Sequence, residues 1–117
     1  NDVTARDLQK TDGQWTRAKG FDTFCPLGEE SSMLPDLDSL TVITRVNGVE
    51  RQRGKSTEMV FSIPSLLAYI SRIMTLEPGD LVATGTPSGV GPLVPGDVVE
   101  VEIPGVSRVT NPVQESR

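Results

Sequence analysis

Within its first twenty residues the chain places three carboxylates, Asp2, Asp7 and Asp12, among Arg6, Arg17 and Lys19, beside its one tryptophan, Trp15. Carboxylates of this kind hold a hard cation or take a proton, and cations hold small anions or stabilise a developing oxyanion. A second candidate is Glu100-Val101-Glu102. In a strand its two carboxylates share a face and could chelate a hard cation. Val99, Val101 and Ile103 alternate with them, so the simpler reading is the solvated face of an outer strand. A third is the glycine-rich loop 85–91, which with the strand end before it offers backbone N–H groups and the Thr84 and Thr86 hydroxyls to a carboxylate, or serves only as a turn. It lacks the Gly-Lys-Ser/Thr ending of a P-loop and no helix follows it, so a phosphate site is not expected there.

The chain has no histidine, which removes the commonest general base and transition-metal ligand. A Ser-His-Asp or Cys-His arrangement cannot be assembled from these 117 residues. Cys25 has no neighbour in sequence to activate its thiol and is expected to be buried and inert. As the lone cysteine it makes no internal disulfide, which fits a reduced, cytoplasmic setting. A net charge of −5 argues against general nucleic-acid binding, which needs a basic face. The charge is uneven, however: residues 45–55 carry Arg45, Arg51, Arg53 and Lys55 against Glu50, a stretch suited to a small anion.

The elements that position these groups read as mainly β with one α-helix. Eleven glycines and nine prolines, with only 4% aromatics, call for many turns and short strands. Residues 41–46 and 49–53 flank Asn47-Gly48 and form a hairpin with a type I′ turn. Ile63, Leu66, Leu67, Ile70, Ile73 and Met74 share a helical face, with Ser62 as cap and Pro64 in the first turn. Glu77-Pro78-Gly79-Asp80 ends that helix. Short strands are expected over 81–84, 98–103 and 106–110. The length suits one domain, and no apolar run reaches the roughly 18 residues of a membrane span. No signal peptide is visible.

In order, NDVTARDLQ, QWTRAKGFDTFCPLG, VNGVERQ, EMVFSIPSLLAYIS, LEPGDLVATGTPSGVG and PGDVVEVEI resemble successive blocks of the fumarylacetoacetate hydrolase family, across nearly all of residues 1–113. The resemblance implies an incomplete form of that family's rolled mixed β structure, with 1–117 the C-terminal portion of one catalytic domain. It implies Mg²⁺ or Mn²⁺, with Ca²⁺ a further option, and makes Asp2 a metal ligand with Thr23 at the metal site. Lys19 corresponds to the active-site lysine, and Gln9, Arg17 and Thr86 to substrate-binding positions. The family's Glu-x-Glu metal pair and histidine base precede the Asn-Asp block, so Glu100 and Glu102 are not that pair. The implied substrate is a small anionic 2-oxo acid, without nucleic acid or membrane as partner, and the complete protein is expected to be a homodimer. The implied reaction is C–C hydrolysis of acylpyruvates through an enolate. Oxaloacetate-type decarboxylation, isomerisation of unsaturated 2-oxo diacids and a catalytically inactive half-domain are the alternatives.

Overall fold

The computed structural model describes residues 1–115. The sheet begins with the hairpin of β1 (Thr41–Val46) and β2 (Val49–Lys55). Asn47 and Gly48 take φ of 51° and 78°, the two left-handed residues that a type I′ turn demands. Arg45 opposes Glu50, yet Thr44 opposes Gln52. Arg51 is therefore the extra residue of a β-bulge, which bends the strand and re-aims its side chains.

On the other side of β1 lies β3 (Val98–Ile103), followed by β4 (Ser107–Pro112), giving an antiparallel sheet of order β2-β1-β3-β4. Asn47 also starts the β1–β3 pairing. Its amide donates to Asp97 Oδ1 at 2.8 Å, and its side-chain oxygen accepts from the Val98 N–H at 2.9 Å. Asp97 meanwhile accepts from the Val94 N–H at 3.0 Å, closing the second Pro-Gly-Asp turn. Asp80 closes the first in the same way, accepting from Glu77 N at 2.8 Å. The Val94 N–H and the Asn47 amide together hold the Asp97 carboxyl below its ordinary range.

Alternation along paired strands separates two faces. Val46 and Val99 oppose each other and are buried; Ile43 is buried on the opposite face, beside Arg45, Glu100 and Glu102. The expected mainly β architecture is present, and two short helices are added to it: α1 (Arg6–Thr11) and α2 (Thr16–Lys19). With six and four residues, neither is long enough to show an apolar period. The longer helix, α3 (Ile63–Ser71), is capped by Ser62 Oγ, which accepts from Ser65 N at 3.3 Å, and it ends before Ile73 and Met74, well short of the Glu77-Pro78-Gly79-Asp80 turn expected to stop it. No side chain of α3 is buried, and Phe61, Tyr69 and Ile73 are exposed around it. The strand expected over 81–84 is not formed. An apolar run becomes a strand only against a neighbour, and 81–84 has no ladder partner among the described residues. No helix among the described residues is long and apolar enough to cross a membrane.

Asn47 thus carries a left-handed backbone and two stitches, one to Val98 of β3 and one to Asp97 just before it. Asn47→Ala should destabilise the protein by about 2 kcal/mol, the sum of an αL penalty and lost hydrogen bonds at an exposed site. Asn47→Gly, which keeps the turn and loses only the stitches, should cost about half as much. Urea unfolding of the two variants measures the difference.

Candidate active site

Lys19 is positioned by a small contact between helices. The Ala5 N–H donates to the Ala18 carbonyl at 2.9 Å, and Ala18 is fully buried where α1 meets α2. Lys19 ends α2, four residues after Trp15, so its ammonium lies 5.9 Å from the centre of the indole ring. The same ammonium donates to Asp2 Oδ2 at 2.5 Å and to Thr4 Oγ1 at 3.0 Å. Asp2 and Lys19, singled out from the sequence, are therefore brought together across seventeen positions of chain. Thr4 was not singled out from the sequence; its hydroxyl also donates to the Asp2 carbonyl at 3.1 Å.

Immediately beyond Lys19 the backbone is strained. Thr23 and Cys25 take φ of 70° and 57°, and for a β-branched threonine this is a genuine outlier. The turn is held by the Phe24 N–H, which donates to the Phe21 carbonyl at 2.9 Å, and by the tilted Phe21 and Phe24 rings 5.5 Å apart. Strain of this kind persists where surrounding structure enforces it, and it gathers at functional sites. Cys25, expected to be buried, is exposed, within this same left-handed turn.

The other candidates occupy separate contacts. Gln9 accepts from the Arg6 guanidinium, one turn earlier on α1. Arg17 forks onto Asp12, Nε to Oδ2 at 3.0 Å and Nη2 to Oδ1 at 2.7 Å. That pairing holds the Asp12 carboxyl below its ordinary range. Thr86 is exposed on the loop after residue 84 and accepts from Gln52 Nε2 at 2.9 Å. Among the described residues, no hydrogen bond joins Thr86, Gln9 or Arg17 to the Lys19–Asp2 pair.

Glu100 and Glu102 are neither a chelating pair nor the wet face of an outer strand. β3 is an interior strand of the sheet, and both carboxylates are spoken for. Arg45 Nη1 reaches Glu100 at 2.6 Å and Glu102 at 2.7 Å, and Arg108 Nη2 reaches Glu102 at 2.9 Å. Arg45 first, and Arg108 after it, hold the Glu102 carboxyl below its ordinary range.

A hard cation takes six or more oxygens. Among the described residues no three Asp, Glu, Cys or His side chains gather in a way that could hold one. Asp2 offers one anionic donor, part-exposed and already facing an ammonium. The residues present therefore fit one corner of a metal site and do not complete it.

Residues 1–114 match the model of the fumarylacetoacetate (FAA) hydrolase C-terminal domain, and the chain belongs to that family. The mitochondrial oxaloacetate tautomerase of Mus musculus is 44% identical over 121 residues, covering 98% of this chain and 55% of the relative. Among solved structures, the 2-hydroxyhepta-2,4-diene-1,7-dioate isomerase of Mycobacterium marinum is 50% identical, with a TM-score of 0.92 over 97% of this chain and 45% of that one. The fumarylacetoacetate hydrolase of Exiguobacterium antarcticum is 44% identical, with a TM-score of 0.93 over 99% of this chain and 45% of that one. The chain spans about half the length of the relatives it matches.

The charge ladder has a pH signature. The Glu102 carboxyl is depressed, so its stabilising contribution is complete above the ordinary carboxylate range and is lost as pH falls through the lowered value. In an acid titration followed by circular dichroism, Glu102→Gln should be less stable than the parent near neutrality and the two should converge toward low pH. A constant gap between the two curves at every pH would contradict the assignment.

Proposed function

We propose that this chain supplies the lysine, one metal-binding carboxylate and a substrate-binding loop to an enzyme that moves a small 2-oxo acid between its keto and enol forms. The observation that carries the reading is the Lys19 ammonium, held by Asp2 and Thr4 at the end of α2. Enolisation builds negative charge on the 2-oxo oxygen, and a fixed ammonium stabilises that charge more in the transition state than in the bound acid. Asp2 and Thr4 keep the ammonium aimed, and the Trp15 ring lies against it. Thr86 and Gln9 present hydrogen-bonding groups suited to the substrate's oxygens. Arg17 would reach a carboxylate only by leaving Asp12. A bound Mg²⁺ or Mn²⁺, with Asp2 as one donor and its other ligands outside these residues, would supply Lewis-acid polarisation of the 2-oxo group.

Support for enol chemistry over hydrolysis comes from the names of relatives. At 44% identity stand oxaloacetate tautomerases of Mus musculus and Bacillus subtilis and an oxaloacetate decarboxylase of Dictyostelium discoideum. Acylpyruvate-type C–C hydrolysis is the second reading, favoured by the likeness to the Exiguobacterium hydrolase. Both pass through the same charge on the 2-oxo oxygen. Hydrolysis also needs an activated water, and with no histidine in the chain its base would come from elsewhere. The homodimer belongs to the same proposal, supported by the uncovered apolar residues Phe61, Tyr69 and Ile73.

The test is steady-state kinetics of the complete protein with Mg²⁺, following enol-to-keto conversion of oxaloacetate. Lys19→Met should lower kcat by about 10²–10³, the usual effect of losing one oxyanion-stabilising donor, with an unchanged melting temperature. Lys19→Arg should recover little, because a planar fork does not replace a compact ammonium. Near-normal kcat in Lys19→Met would overturn the proposal, and faster turnover of an acylpyruvate than of oxaloacetate would favour hydrolysis. Asp2→Ala should weaken Mn²⁺ binding by calorimetry.

A further inference from the structure

We infer that Gln52 is a positioning residue for substrate binding: its side-chain amide grips the loop that carries Thr86 and turns the Thr86 hydroxyl outward as a donor. The inference rests on the reading of Thr86 as a substrate contact.

Gln52 follows the β-bulge at Arg51, on the edge strand of the sheet, and its half-buried side chain uses both amide hydrogens on the loop. Nε2 donates to Thr86 Oγ1 at 2.9 Å and to the Pro87 carbonyl at 2.9 Å. Two glycines let the loop come this close. Gly89 has φ of +100°, and a Cβ there would overlap the Arg51 carbonyl and meet Gln52 Cγ at 3.2 Å. Gly54, two residues past Gln52, leaves room for the Pro87 ring, which a Cβ would meet at 2.8 Å. The bulge, the amide and the two close approaches fix residues 86–89 against β2.

The polarity of the grip matters as much as its strength. Thr86 Oγ1 accepts from Gln52, so the hydroxyl keeps its own hydrogen free for another acceptor. On an exposed loop, that hydrogen suits the carboxylate or carbonyl oxygen of an anionic substrate. A glutamate at position 52 has nearly the same shape and the reverse polarity. Its carboxylate would accept from the Thr86 hydroxyl, using up the donor, and would face the Pro87 carbonyl without a hydrogen between them.

The experiment uses the complete protein with Mg²⁺ and oxaloacetate, comparing Gln52→Glu, Thr86→Val and the double variant, with Gln52→Met as an uncharged substitute should the glutamate not fold. Gln52→Glu should raise KM about tenfold, the effect of one good hydrogen bond to a charged group, and change kcat by less than about threefold. Because Gln52 acts through Thr86, the double variant should be no worse than Thr86→Val alone. Amide exchange of residues 85–89 should quicken in Gln52→Met. Normal KM in both Gln52 variants while Thr86→Val is impaired would overturn the inference and leave the proposed function standing. Additive losses in the double variant would also overturn it, since Gln52 would then act independently. Unimpaired Thr86→Val would remove Thr86 from the substrate site, and the inference with it, while Lys19→Met still tests the enol chemistry separately.

Discussion

Asn47 and Gly48 sit in the left-handed region at the β1–β2 turn, and both pairings of β1 start from them. The two-residue turn sets Val46 against Val49, and a slip of one residue would carry each side chain to the opposite face. The Asn47 side chain then aligns the start of β3, so one residue governs both neighbours of β1. The bulge at Arg51 is read from the same origin, and it decides where the Thr86 loop can dock. With Ile43, Val46, Val99 and Ala18 as the only buried apolar residues among the described residues, packing alone leaves the register underdetermined, and directional bonds carry it.

Several charged residues pair across or within the sheet. Arg45, Glu100, Glu102 and Arg108 form a ladder across three strands, each partner answered by another. Arg53 and Glu50 pair within β2, and Arg17 with Asp12 near α2. Within the basic stretch at 45–55, Arg45 and Arg53 are thus answered by carboxylates of the sheet. Lys19 and Asp2 differ in their company. Their pair is joined by a threonine hydroxyl and an aromatic face and lies beside a strained turn.

What could be read in advance follows the range of the interactions. The Asn47-Gly48 hairpin, the Ser62 cap and the Pro-Gly-Asp turns are local, each written within a few residues, and each forms as expected. α1 and α2 are local as well, but they are too short for a period to show, and a single buried alanine is no pattern. Longer-range partners were illegible for a different reason. Arg45 meets Glu102 across 57 positions and Gln52 meets Thr86 across 34, and only the strand order and the bulge bring them together. The Glu100–Glu102 pair was misread as an outer strand because alternation reveals a face and says nothing of what lies on either side. Asp2 and Lys19 were found by family resemblance, and neither spacing nor composition would have joined them.

On the proposed reading, Lys19 stabilises charge on a 2-oxo oxygen as the neighbouring carbon loses its proton. Deuterium exchange at C3 of 2-oxoglutarate reads that step alone, because this saturated diacid has no acyl group to hydrolyse and no 3-carboxylate to lose. Proton NMR in D₂O, with the complete protein and Mg²⁺, should show exchange well above that with Mg²⁺ alone. In Lys19→Met the rate should fall back to the metal-only level. Exchange by the parent protein no faster than by free Mg²⁺, or equal exchange in parent and variant, would contradict it.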